Sequence, residues 1–336
     1  ANNSTFIGYN AGFCATNSPT SNFIGDCAGL CAINASSSNF IGGYAGLCAT
    51  NANNSNFIGS KAGCAATFAY ASNFIGCGAG VDATNASNSN FIGSGAGGYI
   101  TNGSYLNIIG IGAGQYAINA YESNFIGTYA GILATNARFS NFLGSNAGYY
   151  ATDASYSNFF GNSAGLGSTN ANASNFIGYY AGYNATCACG SNFIGLGAGQ
   201  FAINAYYSNF FGRTAGFCAS NAALSNLFGY NVGTCFGSNN IGSNNIIIGT
   251  NISLPNATCN SINIGGVLFG CGSYSITSSD PSITPTSEGK IGIGIATPSA
   301  SLHVNNISTA PSFLVEDSTN PDSTPFVVDE IGRAHV

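Results

Sequence analysis

The chain has 336 residues, of which 5% are charged, 45% are hydrophobic and 48 are Gly, with no Met, no Trp and a net charge of −6. Globular enzymes usually carry about a quarter charged residues. Residues 1–279 hold only four acids (Asp26, Asp82, Glu122, Asp153) and three bases (Lys61, Arg138, Arg213). That excludes a phosphate-neutralising surface and so nucleic acid as a partner, and the hydrophobic content excludes a solvated coil. No apolar run reaches the length of a membrane span, so no membrane insertion is expected of these residues.

From the first residues the chain repeats the unit SNFIGxxAGxxATNAxx. Its first glycine recurs every 17 residues from Gly8, Gly25 and Gly42 to Gly229, fourteen units without an insertion. Free loops tolerate length changes, so constant length points to coils stacked on one another. Seventeen residues are too few for a helical-hairpin repeat, and the Gly and Asn content opposes helix. NFIG reads as a short β-strand, with the AG and NA pairs as corners. The fold class is all-β, a parallel β-solenoid or β-roll of about 14 coils over residues 1–237. At about 4.8 Å per strand it forms a rod of roughly 65 Å.

Neighbouring strand residues point to opposite faces. Phe23, Phe40, Phe57 and Phe74 are each followed by Ile24, Ile41, Ile58 and Ile75, so the strand is expected to be buried on both faces. One face fills the coil. The other is covered either by identical chains packed about an axis or by a wider monomeric coil. The Asn before each Phe (Asn22, Asn39, Asn56, Asn73) is expected to stack into an amide ladder.

The strand's Phe column contains Ile108 and Leu227 as exceptions and never Tyr, whereas 17 of the 18 Tyr lie at variable positions of the repeats. Tyr44 and Tyr129 follow the glycine, as do Tyr179 and Tyr180; Tyr149 and Tyr150 follow the AG pair, and Tyr206 and Tyr207 occupy the xx linker. These eight are the candidate surface-binding residues, since Tyr-rich surfaces suit carbohydrate or protein contact. The alternative is that Tyr simply covers the coil edges.

After Gly229 the register breaks. Residues 238–270 read as a transition or capping region, 271–288 as a Ser/Thr/Pro linker, and 289–329 as a different β segment with short strands around Phe313–Val315 and Phe326–Val328.

The SNFIGxxAG units resemble the head repeats of trimeric autotransporter adhesins, although the period here is longer. SINIGGVLFG followed by GKIGIGIATPSASLHV resembles a segment of phage tail-fibre and related surface-fibre proteins. The resemblance implies a homotrimeric fibre at a virion or bacterial cell surface, extracellular, bound to a glycan or protein receptor. In such fibres the second segment commonly precedes a self-cleaving chaperone domain. The chain begins within a repeat unit, and its last residues, 330–336 (EIGRAHV), read as translated sequencing adapter; the chain is expected to be a fragment of environmental sequence.

Catalytic chemistry finds little support. Acids are too sparse for a catalytic pair. GIGAGQ (110–115) and GLGAGQ (195–200) mimic a dinucleotide fingerprint, but the fingerprint needs a βαβ unit. Cys14, Cys31 and Cys48 share a column, as do Cys218 and Cys235, while Cys187 and Cys189 lack a nearby His. No zinc site is read from them, and the thiols are expected to serve mostly as small apolar fillers. His303 is read as structural. No enzyme, cofactor or metal is expected.

Two functions remain. One is a structural and adhesive fibre shaft presenting the Tyr positions. The other is an ice-binding solenoid using a Thr/Asn column (Thr16, Thr50, Thr67, Thr84), which Ile33, Ile118 and Ile203 interrupt and bulky Tyr would roughen.

Overall fold

The computed structural model describes residues 3–234, 240–272 and 289–305, together with the strand backbones at 313–315, 326–328 and 334–335. Fourteen three-residue strands, from β1 (Thr5–Ile7) and β2 (Asn22–Ile24) to β14 (Asn226–Phe228), stack in parallel, one per 17-residue coil. Register is in phase: Asn22 faces Asn39, Phe23 faces Phe40 and Ile24 faces Ile41. The chain is a parallel β-solenoid.

Each position of the unit has its own task. The buried Phe column runs up the centre, with adjacent rings stacked at centroid distances such as 4.6 Å for Phe74–Phe91 and 4.7 Å for Phe142–Phe159. Three alanines per coil, for example Ala28, Ala32 and Ala35, close the rest of the interior and are fully buried. A Phe and three Ala make a thin core, and fully burying one Phe contributes about 1.5–3 kcal/mol. Where Ile108 replaces the ring, the lost volume is regained nearby. Ile100 stands in the Ala column and Leu106 in the Ser column, and Gly103 makes room; a Cβ on Gly103 would lie 2.9 Å from Ile100 and 3.0 Å from Leu106.

Two glycines per coil are sterically required. A Cβ on Gly25 would lie 2.6 Å from the carbonyl carbon of Gly42 in the next coil, and its φ is +134°. Gly29, at φ +63°, sits under Phe23. The expected NA corner is also built on positive φ, with Asn34 at 53° and Asn51 at 53°, a region Asn enters more readily than other side chains.

Two polar ladders tie the coils together. Ser38 is buried; its Oγ donates to the Ala52 carbonyl at 2.6 Å and accepts the Ser55 N–H at 3.1 Å. Later, Asn245 occupies the same column and donates to the carbonyls of Ile241 and Thr258. The Asn ladder expected before each Phe is present. The side-chain amides run from Asn22 to Asn39 (2.7 Å) and Asn39 to Asn56 (2.6 Å), and on to Asn209–Asn226 (2.8 Å).

The outer strand face is not buried by the chain's own coil, which decides between the two covers expected for it. Phe57 is buried, but the following Ile58 is 37% exposed, and Ile92 is 39% exposed. The coil interior is too thin to take this second column, and nothing among the described residues covers it. The wide monomeric coil is therefore not what forms.

Beyond β14 the parallel ladder continues through β15 (Ile246–Ile248) and β16 (Ser261–Ile264). Polarity then reverses: β17 (Leu268–Cys271) pairs antiparallel with β16 and with β18 (Lys290–Ile293), which pairs in parallel with β19 (Leu302–Val304). A separate antiparallel sheet joins β20 (Phe313–Val315), β21 (Phe326–Val328) and β22 (Ala334–His335). The segment read as a linker lies outside the described residues from 273 onward. So does the reading of 330–336, apart from the backbone of β22.

Candidate functional site

Thirteen coils carry a second, narrower ladder. Single bridges connect Thr16 to Ile33, then Thr50, Thr67, Thr84, Thr101, Ile118, Thr135, Thr152, Thr169, Thr186, Ile203 and Ser220. Backbone bonds hold each position from both sides. Thr50 N–H donates to the Ala66 carbonyl at 2.9 Å, and the Thr67 carbonyl accepts the Asn85 N–H at 3.1 Å. Ala occupies the positions on either side of the Thr–Asn pair and points inward, so Thr points outward.

Among the described residues, the Thr hydroxyls of this column make no side-chain hydrogen bond within the chain except that of Thr84. Thr84 Oγ1 lies 3.5 Å from the Ile100 carbonyl, the outer limit for such a bond. The hydroxyls and methyls are thus presented to solvent at one-coil intervals, about 4.8 Å.

The next residue is Asn in most coils, and it is locked. Asn17 donates to Asn34 (3.1 Å) and Asn34 to Asn51 (2.9 Å). A longer run links Asn85, Asn102, Asn119 and Asn136, ending on Asp153 at 2.8 Å. Phe68 and Cys187 break the amide column. Asp153 is the one carboxylate within it.

Steric relief on either side is uneven. Around Thr50 and Thr67 the flanking corner residues are small or of modest size: Cys48, Ala65, Asn54 and Ala71. Around Thr152 they are Tyr150 and Tyr156, both exposed. The N-terminal coils therefore offer the smoother stretch, Ile33 and Phe68 excepted.

The eight candidate tyrosines do not form one surface. Tyr44, Tyr129, Tyr149, Tyr150, Tyr179 and Tyr180 line the corner that follows the strand, whereas Tyr206 and Tyr207 lie on the edge that leads into it. Contacts are local: Tyr149 meets Tyr150 at 4.5 Å edge-on, Tyr179 meets Tyr180 at 4.1 Å, and Tyr206 meets Tyr207 at 5.8 Å. Burial, then a hydrogen bond with Tyr150, raises the Tyr149 phenol above its ordinary value. A hydrogen bond with Tyr179 does the same for Tyr180. Cross-coil stacks are carried by residues outside that set: Tyr99–Tyr116 at 4.8 Å and Phe139–Tyr156 at 4.9 Å. Their signal in the sequence is an aromatic recurring after 17 residues.

The remaining chemistry is sparse. No cluster of three or more His, Cys, Asp or Glu suited to a metal is found among the described residues, and no helix among them is long and apolar enough to cross a membrane. Cys14, Cys31 and Cys48 are exposed thiols in one column. His303 Nδ1 accepts the Ser299 N–H at 3.2 Å and lies 3.3 Å from the Ser299 hydroxyl, a contact that holds the turn before β19.

Comparison with known proteins finds no matching family model, no similar curated protein and no similar solved structure. Repeat periodicity and geometry carry the functional argument.

Proposed function

We propose that this β-solenoid scaffold binds ice through its Thr/Asn column. The observation that carries this reading is the Thr ladder from Thr16 to Thr186, in one register, with hydroxyls that, Thr84 excepted, make no side-chain hydrogen bond among the described residues, and with backbone fixed on both sides. Ice recognition needs an array that holds water at lattice-like intervals without reorganising. A Thr supplies a methyl that excludes bulk water and a hydroxyl that anchors one ordered molecule. The adjacent amides, bonded to one another, are held in fixed orientation at the same interval, and each keeps hydrogen-bonding capacity for water.

Charge supports the same reading. A strongly hydrated ion on the face would keep a disordered water shell, and the column holds one carboxylate and no base. The three Ile substitutions keep the methyl and lose the hydroxyl, which leaves the surface flat. The Tyr positions, by contrast, change from coil to coil and build no repeated site. Ice forms outside cells, and the protein is proposed to act there. The direct test is growth of a single ice hemisphere in fluorescently labelled protein. Adsorption to defined planes supports the reading, and uniform exclusion from the ice contradicts it.

A second reading keeps the adhesive, homotrimeric fibre shaft. It rests on the exposed column from Ile41 and Ile58 to Leu143, Phe160 and Phe228, continuous along the strand face. Contiguous apolar stripes of this extent are uncommon on monomers. Sedimentation reads the mass directly.

A further inference from the structure

A trough crosses the corner that follows the strands in the third to seventh coils, with a volume of about 660 Å³. It exists because side chains are missing. Gly78 and Gly95 occupy the second position after the strand glycine, at φ +65° and +67°. Other coils place Tyr44, Lys61, Tyr129 and Tyr180 at that position, with φ between 57° and 60°. The backbone conformation therefore does not demand glycine there. Nor does packing: a Cβ on Gly78 would come no closer than 3.8 Å to any atom, and one on Gly95 no closer than 3.7 Å. This distinguishes both from Gly25 and Gly29, which a Cβ would disrupt.

The lining is of two kinds. Leu47 and Val81 make an apolar floor, Tyr44 and Tyr99 stand at its ends, and Lys61 and Gln115 bring an ammonium and an amide to the rim. Tyr99 is braced from behind by the stacked Tyr116 ring at 4.8 Å. Lys61 is the one charged side chain in the lining.

From this geometry we infer that the trough binds a neutral oligosaccharide lying along the solenoid axis. Sugar rings combine apolar C–H faces with a rim of hydroxyls. The C–H faces fit the Tyr rings and the aliphatic floor, and the hydroxyls fit the Lys61 and Gln115 donors. A single ammonium is too little positive charge to hold a polyanion. The volume lies within the usual range for small-ligand sites. This inference is independent of ice binding, which uses a different column of the coil.

The test is calorimetry at 20 °C with the full chain, where no ice forms. The probes are maltohexaose, cellohexaose and chitohexaose, with a polygalacturonate hexamer as the acidic comparison. At least one neutral hexasaccharide is expected to bind. The Gly78→Tyr/Gly95→Tyr double variant, which fills the trough with a side chain other coils already carry, is expected to weaken binding at least about tenfold. Tyr99→Ala is expected to weaken it similarly, and both variants should keep the β circular-dichroism signature. Failure of all three neutral probes overturns the inference, as does binding that survives filling the trough or a preference for the acidic hexamer.

Discussion

A Cβ placed on Gly29 would lie 2.1 Å from Cδ1 of Phe23. Ring and glycine are six residues apart in sequence and are in van der Waals contact in every regular coil. The glycine exists so that the coil is thin enough for one Phe to fill it. Gly131 stands the same way under Phe125, with φ +67° and a Cβ approach of 2.6 Å. Gly131→Ala combines overpacking, about 1–3 kcal/mol, with left-handed backbone strain, about 1–2 kcal/mol. A loss of roughly 2–5 kcal/mol is expected. Long repeat arrays depart from two-state unfolding, so the loss should be read locally, by hydrogen exchange at residues 125–141. Unchanged protection there would contradict the packing described.

The two polar ladders differ in burial and should differ in cost. Ser140 is buried; it donates to the Ala154 carbonyl at 2.6 Å and accepts the Ser157 N–H at 3.2 Å. Asn141 is only half-buried and bonds to Asn124 and Asn158. Removing a buried partner leaves groups unsatisfied at about 1–3 kcal/mol, whereas a solvated bond contributes nearer 0.5–1.5. Ser140→Ala is therefore expected to lower the urea midpoint more than Asn141→Ala. The reverse order would mean the amide ladder, not the Ser column, holds the coils.

Burial, and next the Asp82 carboxylate, push the Cys64 thiol above its ordinary 9.0. A pKa raised on folding stabilises the protein fully below the unfolded value, and that contribution disappears as pH rises through the folded value. The stability difference between the native chain and Cys64→Ala should shift against the native chain as pH rises through and above 9. Cys64 should also react with a thiol reagent at pH 8 more slowly than the exposed Cys31. Equal rates at Cys64 and Cys31 would refute the assignment.

Sedimentation tests the open strand face. If copies of the chain cover the Ile column, the native chain sediments as an oligomer. Ile58→Asp/Ile92→Asp/Ile126→Asp, with each charge on the outer face, should then sediment as a folded monomer. A native monomer at micromolar concentration would leave the column as exposed surface and remove the trimeric shaft.

Much of this was legible in the sequence because a solenoid repeats its physics. The recurring Gly, Phe and Asn columns revealed the coil length, the in-register strand and the amide ladder before Phe. The Ser column was less legible, since nothing in the letter Ser announces burial and two backbone partners. What covers Ile58 was not legible for a related reason: adjacent apolar residues reveal that two faces are apolar, not whether the second is covered by the chain's own coil or by another copy. The trough escaped because Gly78 and Gly95 look like every other glycine. Only the space around a Cβ separates a glycine that packing needs from one that leaves room.

The central claim is best tested by thermal hysteresis of the full chain beside Thr67→Tyr/Thr84→Tyr/Thr101→Tyr. These three threonines stand in consecutive coils of the column, and their side chains point outward, so the fold should survive. The expected result is a measurable freezing-point gap for the native protein that is largely lost in the variant, with unchanged circular dichroism. A native protein without hysteresis, or a variant that keeps it, would contradict ice binding through the Thr/Asn column.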